Sequence, residues 1–119
     1  MALKRVVVTG IGTLTPIGNN LNDYWNNLLA GVSGAAPITL FDASKFKTRF
    51  ACEIKGFDPT EFMDRKEARK LDRFAQIALV ASDQAVADAG ITKDNVDPDR
   101  VGVIFASGIG GLVTFQEEV

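Results

Sequence analysis

The sequence predicts an α/β fold, and three observations predict it. Lys4–Thr9 is a short, apolar, β-branched run that ends at Gly10, the pattern of a buried strand. Arg100–Ala106 repeats that pattern near the other end of the chain. Between them, Asp72–Ala89 reads as a long helix ended by Gly90, with apolar residues over most of its circumference. Strand, helix and strand in this order favour a sheet with right-handed crossovers and helices layered on it.

The remaining elements follow in order. Asn20 or Asn22 can cap a first helix, on which Leu21, Tyr24, Trp25, Leu28 and Leu29 form one apolar stripe. Gly31 closes it in the left-handed position. Trp25 and Tyr24 are expected to be packing anchors on that stripe. Residues 32–48 carry Gly34, Pro37 and small turn residues, and predict an irregular connection. Asp42 lies in it and can brace it. Arg49–Ile54 predicts a short strand. Asp58-Pro59 opens a helical turn, with the acid as cap and the proline at the first helical position. Leu112–Val119 predicts the start of another helix, without a glycine or a basic last turn to end it. The sequence is therefore expected to be incomplete, with residues 1–119 forming one portion of a larger domain.

Bulk composition excludes several classes. A hydrophobic content of 46% with 24% charged residues is that of a globular chain. The net charge of −2 argues against a global nucleic-acid binder. No apolar run reaches the roughly 18 residues of a membrane span. The start, Met1-Ala2-Leu3-Lys4-Arg5, leads into the first strand without a signal peptide's apolar stretch. A single cysteine makes no intramolecular disulfide, and the expected compartment is a reducing cytoplasm. With no histidine and one cysteine, neither an ordinary zinc site nor a Cys–His pair can be built.

The glycine-rich stretch Thr9-Gly10-Ile11-Gly12-Thr13-Leu14-Thr15-Pro16-Ile17-Gly18-Asn19 looks suited to phosphate, but it fits no phosphate motif. A dinucleotide fingerprint needs glycine or alanine where Thr15 stands, and a P-loop needs Lys-Ser/Thr after Gly18, where Asn19 stands. What remains is a strand followed by a turn that needs glycine conformations, with Pro16 placed to stop a helix.

Three segments are candidates for function. Cys52 sits beside Glu53 with no histidine in the chain, so a small, half-buried core residue is expected, not a nucleophile. Arg65, Lys66, Arg69, Lys70 and Arg73 put five of the thirteen basic residues into nine positions. On a continuous helix the last four would share one face. Asp64, Glu67 and Asp72 offset them, yet clustered cations in an acidic chain can steer an anionic partner. No aromatic residue interleaves the cluster, which disfavours nucleic acid. Ser107-Gly108-Ile109-Gly110-Gly111 follows the second strand and reads by composition as a strand-to-helix turn.

Four segments together carry a family resemblance: the stretch Val6–Asn19, Phe41-Asp42, the run Arg65–Asp72, and Gly102–Leu112. In this order and spacing the chain resembles the amino-terminal part of the β-ketoacyl-acyl-carrier-protein synthases, most closely the elongating synthase II type. The resemblance implies the amino-terminal part of a thiolase-like layered αβαβα fold. It implies decarboxylative condensation of acyl groups with malonyl-acyl-carrier protein in fatty acid elongation. It places carrier docking on Lys66, Arg69 and Lys70, and assigns Ile109 to the acyl pocket.

No metal or organic cofactor is implied; the carrier's phosphopantetheine arrives with the substrate. A homodimer, an acidic carrier protein as partner, no nucleic acid and no membrane complete the expectation. The family's catalytic cysteine and histidines match no residue of this sequence, so these 119 residues are expected to be inactive alone. Two alternatives share the same residues: a polyketide-type ketosynthase, and a non-catalytic α/β module that binds an acidic protein.

Overall fold

The computed structural model describes residues 3–119. They fall into two compact units. One joins the residues up to Gly12 with Pro59–Val119, and the other is Thr13–Asp58.

In the Thr13–Asp58 unit, Thr15 and Gly18 exchange backbone hydrogen bonds of 2.9 and 3.2 Å across Pro16-Ile17. Helix α1, Leu21–Leu29, follows. Of the two candidate caps it is Asn20 that serves: its side chain accepts from the Asp23 amide at 2.9 Å and donates to the Asp23 carboxylate at 2.6 Å. Gly31, with φ +68°, ends the helix as expected. Leu21, Tyr24 and Asn27 are the half-buried residues of α1. Trp25 is 54% exposed, so the expectation of a packing anchor there is corrected. The packed side of α1 is set by the Asn27 amide, which donates to the Ile17 carbonyl at 2.7 Å, and not by the tryptophan.

Strands β1, Ala36–Pro37, and β2, Phe50–Ala51, pair antiparallel. The strand expected over Arg49–Ile54 is thus reduced to two residues. The Asp42 carboxylate braces its loop by accepting from the Ser44 amide and hydroxyl at 3.0 and 3.1 Å. Phe41 and Phe46 pack edge to face with centroids 5.7 Å apart.

In the other unit, Pro59–Glu61 is a 3₁₀ turn. Helix α2 is Arg65–Ala68, α3 is Arg73–Asp88, and α4 is Leu112–Glu118. A second 3₁₀ turn, Pro98–Arg100, capped by Asp97, was not expected. The core lies under α2 and α3, where Ala68, Ala78 and Val80 are buried. Val80 is 1% exposed, a burial that contributes on the order of 1.5–3 kcal/mol. The all-round apolar pattern of α3 predicted more burial than this, since Leu79 and Val86 are exposed.

Lys4–Thr9 and Arg100–Ala106 are not hydrogen-bonded strands here. Among the described residues neither segment joins a ladder: Arg100 and Val101 donate back into the 3₁₀ turn, to the carbonyls of Asp97 and Pro98, and the residues of both segments are exposed, Ile104 at 97%. Val101 nonetheless has strand dihedrals, φ −112° and ψ 129°. The strand pattern is present; the hydrogen-bonding neighbours that define a ladder are not among these residues.

Candidate carrier-docking segment and apolar groove

Glycines 10 and 12 have a clear structural use. Neither has positive φ, so the expectation of a left-handed glycine turn is corrected. Both lie against α3 instead. A methyl on Gly10 would stand 2.5 Å from the Ala89 amide nitrogen. One on Gly12 would stand 2.7 Å from that of Ala85 and overlap the Ala81 carbonyl oxygen. Asp88, on the last turn of α3, accepts from the Ile11 amide at 2.9 Å. The glycines let an extended backbone approach a helix too closely for a side chain. Small residues Ala81 and Ala85 on α3, with Ala89 at its C-cap, make the matching surface.

The basic segment is built locally. Asp64 caps α2 by accepting from the Lys66 amide at 2.7 Å. Arg69 follows as the C-cap in an αR conformation, and the Lys70 amide turns back to the Glu67 carbonyl at 2.9 Å, a tight closing turn. Asp72 then takes an extended conformation, φ −61° and ψ 155°, and a new helix starts. The expectation that Lys66, Arg69, Lys70 and Arg73 share one continuous helical face is therefore corrected. Lys66 and Arg69 remain one turn apart, Lys70 lies in the closing turn, and Arg73 belongs to α3. Lys66, Arg69 and Lys70 are all exposed.

What holds this break together is Gln76, a residue the sequence did not single out. Its side-chain nitrogen donates to the carbonyls of Ala68 at 2.8 Å and Leu71 at 3.1 Å. The Ala68 carbonyl, at the end of α2, also accepts from the Leu71 amide at 3.3 Å, and the Leu71 carbonyl belongs to the link between the two helices.

Beside the break lies a groove of about 330 Å³ that Ile109 lines, together with Asp72, Phe74, Ile77 and Leu112. Ile109 is 76% exposed. A larger apolar groove of about 440 Å³ runs along α3 between Phe74, Ala78, Leu79 and Val86, and reaches Val103 and Phe105. Phe74 lines both. Residues 107–111 make the turn that composition suggested, ending at Gly111 with φ +72°.

Cys52 is exposed, one residue beyond β2, so the half-buried core position expected for it is corrected. Its neighbour Glu53 is engaged structurally. The Glu53 carboxylate accepts from the Thr39 hydroxyl at 2.7 Å, from the Thr39 amide at 3.1 Å and from the Leu40 amide at 3.3 Å. The Thr39 hydroxyl is the main cause holding the Glu53 pKa down. Burial opposes the shift, and the two amides and Lys55 add to it. No three His, Cys, Asp or Glu residues are grouped to hold a metal among the described residues, and no helix there is long and apolar enough to cross a membrane.

The architecture is that of a ketosynthase amino-terminal region of the thiolase-like type. It superposes on the ishigamide ketosynthase/chain length factor with a TM-score of 0.73 and 40% identity, over 80% of this chain and 24% of that one. The family follows from the sequence match. Residues 3–118 match the model for the β-ketoacyl synthase N-terminal domain, and the chain belongs to that family. It is similar to 3-oxoacyl-[acyl-carrier-protein] synthase 2 of Synechocystis sp. (strain ATCC 27184 / PCC 6803 / Kazusa), 50% identical over 97% of this chain and 28% of the relative. The synthase 2 of Coxiella burnetii is 47% identical over 94% of this chain and 27% of its own length. The chain thus spans about a quarter of the length of the curated relatives it matches. The expected family and fold class are borne out.

Proposed function

We propose that this chain is the amino-terminal portion of a ketosynthase domain in a 3-oxoacyl-acyl-carrier-protein synthase, which elongates fatty acyl chains by decarboxylative condensation. The observation that carries this reading is the 50% identity to a 3-oxoacyl-[acyl-carrier-protein] synthase 2 over nearly the whole chain. In the reaction, an acyl group passes from its carrier to an enzyme thiol. Malonyl-carrier loses carbon dioxide to give an enolate, and the enolate carbon attacks the acyl carbonyl and expels the thiolate. The product is a 3-oxoacyl-carrier longer by two carbons.

That chemistry needs an activated thiolate, a site for the developing oxyanion and polarised histidines. These 119 residues hold no histidine, and their one cysteine is exposed beside a carboxylate. The proposed role of this chain is therefore structural and recognitional, and the catalytic groups belong to other residues of the working enzyme.

Lys66, Arg69 and Lys70 are proposed to dock the acidic carrier protein. Their exposure and common origin in one capped segment support this, because an exposed cation cluster steers an acidic partner at long range. Ile109 is proposed to line the acyl pocket, supported by its place in a groove that begins two residues past Lys70. The enzyme is proposed to act as a cytoplasmic homodimer without metal or organic cofactor.

The likeness to a ketosynthase/chain length factor supports a second reading, a ketosynthase of the polyketide type. Carrier binding tests the docking proposal. Lys66→Glu with Arg69→Glu is expected to raise the Kd for acyl-carrier protein at least tenfold and to flatten its salt dependence. An unchanged Kd refutes the docking role. Elongation of saturated acyl-carriers supports the fatty acid reading over the polyketide one.

A further inference from the structure

We propose that Asp72 is a positioning residue for acyl-chain selection, fastening the Ile109 turn to α3 through Thr114. This rests on the ketosynthase reading and on Ile109 lining the acyl pocket. Asp72 occupies the N-cap position of α3, where an aspartate ordinarily accepts from an amide of the first turn. Its side chain makes no such bond. It accepts instead from the Thr114 hydroxyl on α4, forty-two residues away. A bond to a carboxylate is stronger and more directional than one between neutral groups.

The same α3 turn meets the loop at two further points. A methyl on Gly111 would stand 2.9 Å from Asp72 Oδ2, and one on Gly110 would stand 2.6 Å from the Phe74 ring. Gly111 begins α4 in a left-handed conformation and supplies no side-chain cap of its own. The turn carrying Ile109 is therefore seated on Phe74 and latched by Asp72. Asp72 is also two residues beyond Lys70, so the latch joins the docking segment to the groove. Loss of the latch frees Ile109 to move relative to Phe74 and Ile77 across the groove.

The test measures kcat/KM for a short and a long saturated acyl-carrier with the protein expressed from its own gene. It compares Thr114→Val, Thr114→Ser, Asp72→Ala and the pair Asp72→Ala with Thr114→Val, with Ile109→Ala as the pocket control. Discrimination in an apolar pocket is on the order of tenfold or more per methylene. Thr114→Val and Asp72→Ala are each expected to shift the long-to-short ratio about tenfold, mainly through KM. Thr114→Ser keeps the hydroxyl and is expected to keep the wild-type ratio, and the double variant is expected to match either single one. Thr114 is exposed, so its variants remain informative if Asp72→Ala fails to fold. A changed ratio in Ile109→Ala with wild-type ratios in Thr114→Val and Asp72→Ala refutes the latch and leaves the pocket reading standing. An unchanged ratio in Ile109→Ala as well removes the pocket reading, and the latch with it.

Discussion

The side chain of Gln76 donates to the carbonyl oxygen of Ala68 at 2.8 Å, tying the first turn of α3 to the end of the basic helix α2. With its second bond to Leu71, this one amide satisfies the backbone where two helices meet at a break. Gln76→Leu keeps the bulk and removes the donor, so the Leu71 carbonyl loses this bond and the Ala68 carbonyl keeps the Leu71 amide. The expected loss is about 1–2 kcal/mol of stability, read by urea denaturation. Under the proposed docking role of Lys66, Arg69 and Lys70, carrier affinity is expected to fall as their segment loosens. Unchanged stability in Gln76→Leu would show that water replaces the amide freely.

Gly12 and Gly102 make a matched pair of tests. A methyl on Gly12 would press into the backbone of α3, whereas one on Gly102 meets nothing within 4 Å. Gly12→Ala is expected to cost about 1–3 kcal/mol, as overpacking of a close contact does. Gly102→Ala is expected to be near neutral in this structure. Thermal denaturation distinguishes them, and equal effects would contradict the close approach of residues 10–12 to α3.

The Glu53 clasp makes a pH prediction with a definite sign. Its folded pKa lies below the ordinary value, first because the Thr39 hydroxyl donates to the carboxylate. A lowered folded pKa means that its stabilising contribution is complete above the ordinary glutamate pKa of about 4.3. It is lost as pH falls through the lowered folded value. An NMR titration of the Thr39 amide is expected to show a midpoint below that of a free glutamate side chain, and no such step in Glu53→Gln. A midpoint at or above the free value contradicts the clasp.

Much of this was legible in the sequence, because it depends on local chemistry. An asparagine cap at Asn20 or Asn22, Gly31 and Gly90 as helix ends, Asp58-Pro59 as a turn and a long helix ended before Gly90 follow from propensity and capping alone, and the structure selects Asn20. The α/β class followed from the strand–helix–strand order of residues 4–9, 72–89 and 100–106, and its thiolase-like type from the family resemblance. The start of the long helix at Asp72 was legible, but the split of the basic cluster across the break at residues 69–72 was not, because the run from Arg65 is rich in good helix formers. Gln76 and Thr114 were not legible either. A glutamine or threonine on a helix signals nothing until its partner, eight or forty-two residues away, is in place. The glycines at 10 and 12 were visible, but their use was not. Sequence shows that a side chain is missing and does not show which backbone comes close. The strand patterns at residues 4–9 and 100–106 were visible, whereas pairing depends on neighbours that a local pattern cannot name.

The most direct test is condensation by the protein expressed from its own gene, given acyl-carrier and malonyl-carrier substrates, with mass spectrometry of the carrier-bound product. A 3-oxoacyl-carrier longer by two carbons, with one carbon dioxide released per product, is the expected result. A protein that binds the carrier through Lys66, Arg69 and Lys70 yet forms no such product would contradict the condensing-enzyme assignment and leave a binding module in its place.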